Sequence, residues 1–171
     1  MKSFYEVVES ITVSFIIITF LILFAFRAVA VDGSSMNPTL NDKDRIITTN
    51  FLYTPKKGDV IIVDKNNHLN KPLVKRVIAT QGDRVKIDYT TGDVYVNDVI
   101  LEEKYINEKI APQQNTQFEV TVEAGHIFVM GDNRNHSSDS RDDRLGQVNV
   151  KNVLGKALFR VFPLSNIGGI N

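Results

Sequence analysis

The side chains in this sequence with the greatest potential for covalent chemistry are one serine and one lysine. Ser35 follows Ser34 in residues 33–40 (GSSMNPTL), at the expected end of a strand. Lys75 lies in residues 72–79 (PLVKRVIA), between aliphatic side chains where an alternating strand usually carries polar ones. Burial disfavours an ammonium, lowers the pKa of a lysine and leaves an amine that can take a proton from a serine hydroxyl. These patterns alone also allow a turn-forming serine and a lysine that reaches solvent at a sheet edge.

A third cluster of polar side chains occupies residues 131–141 (GDNRNHSSDSR), directly after the apolar run 127–130 (IFVM). Long polar loops after rigid strands often carry functional groups. A calcium loop is disfavoured, because Arg134 and His136 stand where oxygen ligands would be needed. A solvated charged loop is the other interpretation, so this cluster by itself leaves function open.

Composition limits the classes of function. The chain has 171 residues, 43% of them hydrophobic, which suits one globular domain with appendages. Its 20 Lys and Arg balance 20 Asp and Glu, so nucleic acid is not an expected partner. The absence of cysteine excludes disulfides, thiolate metal sites and cysteine nucleophiles. Three scattered histidines, His68, His126 and His136, suggest no metal site, and we expect no cofactor.

The elements that must position these residues begin with an apolar N-terminal segment. Residues 10–26 carry no charge over 17 positions, and with Arg27 reaching the interface the segment 10–28 meets the ~20 residues that a membrane-spanning helix needs. We therefore predict a transmembrane helix over 10–28, preceded by a short segment 1–9. A cleaved secretory signal is the alternative, because residues 28–30 (AVA) have the small-x-small form of a cleavage site.

Beyond the helix, alternating patterns predict a mainly β, antiparallel domain. Turn signals separate the strands at short spacing, which favours hairpins. The predicted strands cover residues 29–31, 59–63, 85–87, 94–96, 118–122, 126–130 and 157–162. We expect a β-rich catalytic domain over 29–85 and 124–171, with a small β insertion over the more polar residues 86–123.

Taken together, three segments in this order resemble the type I signal peptidases, the bacterial leader peptidases, and their Gram-positive members in particular. They are Ser-Met-x-Pro-Thr-Leu at 35–40, Lys-Arg-Val-Ile at 75–78, and Gly-Asp-Asn-Arg with Ser-x-Asp-Ser-Arg at 131–141. Shorter matches at 58–60, 82–85 and 155–157 extend the resemblance over nearly the whole chain. The resemblance implies a membrane-bound serine endopeptidase with a Ser/Lys dyad, which cuts signal peptides from secreted preproteins after small-x-small (Ala-x-Ala) sites.

The family's site residues carry over onto matching positions of this sequence. The nucleophile falls on Ser35 and the general base on Lys75. The remaining matches are Ser137, as the hydroxyl that orients the lysine, Asp139 and Arg141, as a structural salt bridge, and Gly131, Asp132 and Asn133, as one wall of the site. The Ser35 N–H is the expected oxyanion donor. Gly33 departs from Gram-negative relatives, which carry a second donor hydroxyl there, and agrees with most Gram-positive ones.

The substrate and its setting follow from the same reasoning. If residues 29–35 form one strand, Val29, Val31 and Gly33 share a face with Ser35 and offer shallow apolar pockets. The candidate pocket residues are therefore Val29, Val31, Gly33, Met36 and Val74. Secreted preproteins and the lipid bilayer are the expected partners, with the secretion translocon nearby. The family topology implies a single-pass protein of the cell membrane with a cytoplasmic N-terminus and an extracellular catalytic domain.

Other interpretations stay open at this point. A Ser-His-Asp hydrolase would use Ser35, His136 and Asp139 or Asp143. A catalytically silent homologue would bind signal peptides or act as a scaffold without turnover. A soluble Ser-Lys self-cleaving repressor would share the chemistry, but the apolar helix disfavours it. Cleavage of the chain's own small-x-small sequence near Ala30 is a further hypothesis.

Overall fold

The apolar N-terminal segment forms one helix, α1 (Lys2–Ala25), in the computed structural model, which describes residues 2–67, 69–113 and 117–170. Its large apolar side chains are exposed rather than packed on the rest of the protein; Leu23, for example, is 72% exposed. The 23 residues Ser3–Ala25 are long and apolar enough to cross a membrane. At ~1.5 Å per residue they span about 35 Å, against a hydrocarbon core of ~30 Å.

The helix begins and ends earlier than predicted from the uncharged run. It includes Glu6 and Glu9 and ends at Ala25, because the first strand, β1 (Phe26–Ala30), follows without a linker. Strand pairing accounts for this end, since residue Phe26 already pairs with Thr49 of the neighbouring strand. The prediction that the helix continues to residue 28 is therefore wrong, and Arg27 lies in a strand instead of reaching out from a helix.

The remaining chain forms two sheets in which all pairs are antiparallel. The first sheet contains β1, β2 (Arg45–Thr49), β3 (Val60–Val63), β4 (Leu73–Thr80), β9 (His126–Met130), β10 (Val148–Asn149), β11 (Val153–Phe162) and β12 (Gly168–Gly169). The second contains β5 (Arg84–Asp88), β6 (Asp93–Val96), β7 (Val99–Ile100) and β8 (Gln117–Thr121). Short 3-10 turns occur at Val150–Asn152 and Leu164–Asn166. The predicted mainly β, antiparallel fold with one N-terminal helix is thus confirmed.

The order of strands in space differs from their order in sequence. The first sheet runs β1-β2-β11-β3-β4-β9-β10, with β12 beside the far end of β11, and the second runs β7-β6-β5-β8. The second sheet therefore occupies 84–121, close to the predicted insertion 86–123. Its side chains share one core with β4 and β9, where Phe118 packs on Phe128. The division of the chain into two domains stays a prediction.

Strand β4 is buried on both faces, and this decides the environment of the site. Val77 belongs to one core cluster, and Ile78, on the opposite face, belongs to the cluster under the second sheet. Lys75 and Arg76 precede them on the same strand and are only 2% and 1% exposed. Two cations therefore lie inside an apolar strand, and each needs partners that the fold must supply.

Candidate active site

Ser35 and Lys75 meet in the structure. Ser35 begins the turn that follows β1, and Lys75 enters from β4, forty residues later in sequence. The Lys75 Nζ donates a hydrogen bond to the Ser35 Oγ at 2.7 Å and another to the carbonyl oxygen of Val74 at 3.1 Å. This distance is within the range in which an amine can accept the proton of a serine hydroxyl.

Burial lowers the pKa of the Lys75 amine. Loss of water around the side chain lowers its pKa from the ordinary 10.5 to about 8. Four charged groups adjust this value in smaller steps: Asp139 and Asp132 raise the pKa, while Lys71 and Arg141 lower it. A useful fraction of the Lys75 amine is therefore neutral near physiological pH, whereas a solvated lysine is almost entirely protonated there.

The loop after β9 fixes the backbone of Ser34 and Ser35. The Asn133 N–H donates to the carbonyl oxygen of Ser35 at 3.0 Å, and the Asn133 side chain donates to that of Ser34 at 3.1 Å. Gly131 leaves room for this contact, because a Cβ at that position would overlap both the Ser35 carbonyl oxygen and the Ser137 hydroxyl. The absence of a side chain at residue 131 thus lets two segments approach closely.

A buried ion pair supports the same loop and was not identified from the sequence. Arg76 donates to both oxygens of Asp132, at 2.8 and 2.7 Å, and to the carbonyl oxygen of Gly58 at 2.7 Å. The Thr39 hydroxyl donates to the same carboxylate at 2.5 Å, which joins the turn of the nucleophile to the pair. The signal for Arg76 was present in the sequence, since it stands beside Lys75 in an apolar run, but only the fold identifies its partner.

Asp139 and Arg141 form a second ion pair behind the site. The Arg141 guanidinium donates to both Asp139 oxygens at 2.8 Å and to the carbonyl oxygen of Arg134 at 2.7 Å. Asp139 in turn accepts from the Gly131 N–H at 3.0 Å. The pair therefore connects the end of the polar loop to its beginning, which is the bracing expected for these two residues.

Ser137 lies beside Gly131 in this wall, but no hydrogen bond between the described residues joins it to the lysine. Its buried Oγ has no hydrogen-bond partner among the described residues, and the acceptors of Lys75 are Ser35 and Val74. An orienting role for Ser137 stays a prediction.

The Ser35 hydroxyl opens onto a cavity of about 200 Å³. It is lined by Asp32, Gly33, Ser34, Ser35, Lys71, Pro72, Leu73, Val74, Lys75, His136 and Ser138. Among the candidate pocket residues, only Gly33 and Val74 line this cavity. Val31 and Met36 are buried in the core, 4% and 1% exposed, and Val29 packs partly against that core.

The expectation of one strand from 29 to 35 is wrong, and the backbone gives the reason. Strand β1 ends at Ala30, and Gly33 has a φ of +90°, a left-handed conformation that breaks the alternation of faces. Val31 consequently points into the protein, while Ser35 faces the cavity. Within the described residues the Ser35 N–H makes no hydrogen bond, so it is available as a donor.

The two described histidines, His126 and His136, form no catalytic arrangement with Ser35. His136 lines the cavity, but no hydrogen bond between the described residues joins its ring to Ser35 or to a carboxylate. Asp139 is committed to Arg141 and Gly131, and Asp143 is exposed. The described part of the chain holds no group of His, Asp and Glu suited to a metal ion, and His68 lies outside the described residues.

Comparisons with known proteins show which family the whole chain resembles. The family model "Signal peptidase, peptidase S26" matches residues 4–162. A signal peptidase I of Bacillus licheniformis is 33% identical over 97% of this chain and 92% of its own length. A probable signal peptidase I of Synechocystis is 38% identical over 81% of this chain and 72% of its own.

A solved structure extends the agreement to the fold. A signal peptidase I from Enterococcus faecalis superposes with a TM-score of 0.50 at 29% identity, covering 61% of this chain and 97% of that one. The matched family model spans the helix, the turn that contains Ser35, the buried lysine and the polar loop together. The chain therefore belongs to the type I signal peptidase family of serine proteases, which remove signal peptides.

Proposed function

We propose that this chain cleaves preproteins through a Ser35/Lys75 dyad. Lys75 removes the proton of the Ser35 hydroxyl as its oxygen attacks the scissile carbonyl carbon, and the amine of the mature protein leaves with that proton. Water, activated by the same lysine, then hydrolyses the ester between Ser35 and the signal peptide. The observation that carries the proposal is the 2.7 Å contact between a nucleophile candidate and a lysine with a lowered pKa.

The Ser35 N–H is the proposed donor to the oxyanion. A donor held by a rigid turn stabilises developing charge without reorganisation, which is the main requirement for such a group. The turn is rigid because Asn133 holds the carbonyl oxygens of both Ser34 and Ser35. Gly33 contributes no side chain, so the chain offers no hydroxyl at the position of the Gram-negative donor.

The proposed substrate is an extended segment with small residues at the first and third positions before the cut. Two short stretches, residues 33–35 and 72–74, line the cavity, and we expect an extended peptide in it to pair with the backbone of one of them. The cavity volume, about 200 Å³, lies below the ~300–1,000 Å³ of common ligand pockets. A cleft of this size suits a short peptide segment, and the preference for small residues such as alanine is what the family resemblance implies.

The proposed setting is the cell membrane, with α1 as a single-pass anchor, a cytoplasmic N-terminus and an extracellular catalytic domain. Strand β1 starts at the residue after α1, and its five residues extend about 17 Å. Ser35 is consequently held near the membrane surface, where a signal peptide in the same bilayer meets it at high effective concentration. Lipids and, close by, the secretion translocon are the partners that this position implies.

The test is cleavage of a purified preprotein with an Ala-x-Ala site by the full-length chain in detergent or vesicles. Mass spectrometry should find one cut after the second alanine, and Ser35→Ala and Lys75→Ala should abolish it. Ser34→Ala and Lys65→Ala are the matched controls, a neighbouring serine and an exposed lysine, and should keep activity. An inert wild type on several preproteins would favour the silent homologue instead, and activity in Lys75→Ala would reject the dyad.

A further inference from the structure

Lys71 lies in the cavity beside Ser35, and no salt-bridge partner for it is found among the described residues. Lys71 lines the cavity together with Ser35 and Lys75, and its side chain is exposed. Among the described residues no carboxylate forms a salt bridge with it. Lys71 is not part of the dyad, and its positive charge can attract or repel charged side chains of a peptide bound in the cavity.

The loop between β3 and β4 holds Lys71 in place. The Asn67 side chain donates to the carbonyl oxygens of Asp64 and Lys71, at 2.5 and 2.7 Å, and so ties together the two ends of the loop. Pro72 has a fixed φ and restricts the preceding residue to an extended backbone. Lys71 is thereby kept at the cavity mouth, whereas a lysine on an unrestrained loop would spread its charge over many positions.

The same cavity also carries a negative charge. Asp32 lines it from the segment that leads to Ser35, is exposed, and forms no salt bridge with a described residue. Lys71 and Asp32 are not paired with each other, so a peptide in the cavity meets a cation beside the start of β4 and an anion beside the segment before Ser35. His136 is the remaining titratable group on the rim.

We propose that Lys71 is a specificity-determining residue, which favours substrates with an acidic side chain, and disfavours those with a basic one, at a position beside the cut. The inference rests on the proposed peptidase function and deepens it by naming a charge preference. The physical basis is Coulomb attraction across a short, partly desolvated cleft, where an uncompensated charge discriminates between partners by attraction and by repulsion.

A second effect follows from the same placement. The Lys71 ammonium lies close enough to lower the pKa of Lys75. Burial has the larger lowering effect, and Asp139 acts in the opposite direction by raising this pKa. Removing or reversing the Lys71 charge should therefore raise the pKa of Lys75 and move the pH–rate profile to higher pH. A purely structural role for Lys71 predicts no such movement.

The experiment compares peptides that carry Glu, Gln or Lys at each position flanking an Ala-x-Ala cut in turn. The full-length wild type in detergent should cleave the Glu peptide about three- to tenfold faster, in kcat/KM, than the Lys peptide at one or more positions. Lys71→Gln should abolish the preference and Lys71→Glu should reverse it. About 1 M salt should weaken it, since the screening length is then only ~3 Å.

Lys65→Glu is the matched control, because Lys65 is an exposed lysine of the same loop that does not line the cavity. Unchanged preferences in Lys71→Glu, or the same change in Lys65→Glu, would overturn the inference while leaving the peptidase function intact. A wild type that cleaves none of the peptides would overturn the proposed function, and this inference with it.

Discussion

The rate of cleavage should follow the protonation of Lys75. Burial lowers the pKa of its amine to about 8, and only the neutral amine can accept the Ser35 proton. At that pKa about 9% of the amine is neutral at pH 7 and about 91% at pH 9. An amine at its ordinary 10.5 would be only about 0.03% neutral at pH 7, so burial increases the active fraction roughly 300-fold.

The sign of the pH dependence follows directly. Below pH 8 each unit of pH raises the neutral fraction about tenfold, so a plot of log kcat/KM against pH should rise with a slope of about one. Above pH 8 the amine is already neutral, and the curve should flatten. The measurement is kcat/KM for a fluorogenic Ala-x-Ala peptide from pH 5.5 to 10 with the full-length chain in one detergent.

Two controls separate Lys75 from other titrating groups. Lys75→Arg keeps the positive charge but cannot lose its proton in this range, so it should be inactive at every pH. His136→Ala removes the imidazole that lines the same cavity as Ser35 and should leave the midpoint near 8. A profile that rises until pH 10 would show that burial does not lower the pKa of Lys75, and a profile flat from pH 6 upward would exclude this lysine as the base.

Three other predictions test the surroundings of the dyad. Gly131→Ala should reduce activity at least tenfold and destabilise the fold by about 1–3 kcal/mol, because its Cβ would overlap the Ser35 carbonyl; Gly168→Ala, in open space, is the control, and equal effects of the two would contradict this. Lys75→Met should be inactive yet raise the free energy of unfolding by about 1–3 kcal/mol at pH 7 in urea titrations, since it removes a buried amine that must be charged or deprotonated. A loss of stability would show that the lysine contributes to folding. His136→Ala should keep kcat/KM at pH 8 within about threefold of the wild type. A loss of several orders of magnitude would instead support the alternative Ser-His-Asp mechanism.

Local pattern predicted the hairpin strands well and the helix boundary poorly. Residues 94–96 and 126–130 alternate or run apolar between clear turn signals, and both form strands. The end of α1 could not be predicted, because Phe26 has no feature that separates it from the apolar residues before it. Its strand conformation depends on pairing with Thr49, which is remote in sequence. Such pairing outweighs helix propensity, and a single sequence does not reveal the partner.

The site was predicted in its parts but not in its connections. The unusual position of Lys75 in an apolar strand could be read from the sequence, and the resemblance named Ser35 as its partner. The burial of Met36 in the core could not be predicted from the sequence, because it depends on the left-handed backbone at Gly33. The role of Arg76 was likewise hidden, since the carboxylate that it binds, Asp132, comes from a loop 56 residues later.

The burial of Lys75 connects the fold to the chemistry through a conflict between stability and activity. Between pH 8 and 10.5 the unfolded chain still holds the proton that the folded chain has released, so the free energy of unfolding should rise with pH across this window. Below pH 8 the buried amine is protonated, and its burial then destabilises the fold the most. Strand β4 tolerates this cost because its next residue, Arg76, is fully paired with Asp132, and Val77 and Ile78 extend the strand into two cores. The same pair fixes the loop that positions Ser35. The lowered pKa of Lys75 and the fixed position of Ser35 are therefore two consequences of one buried strand.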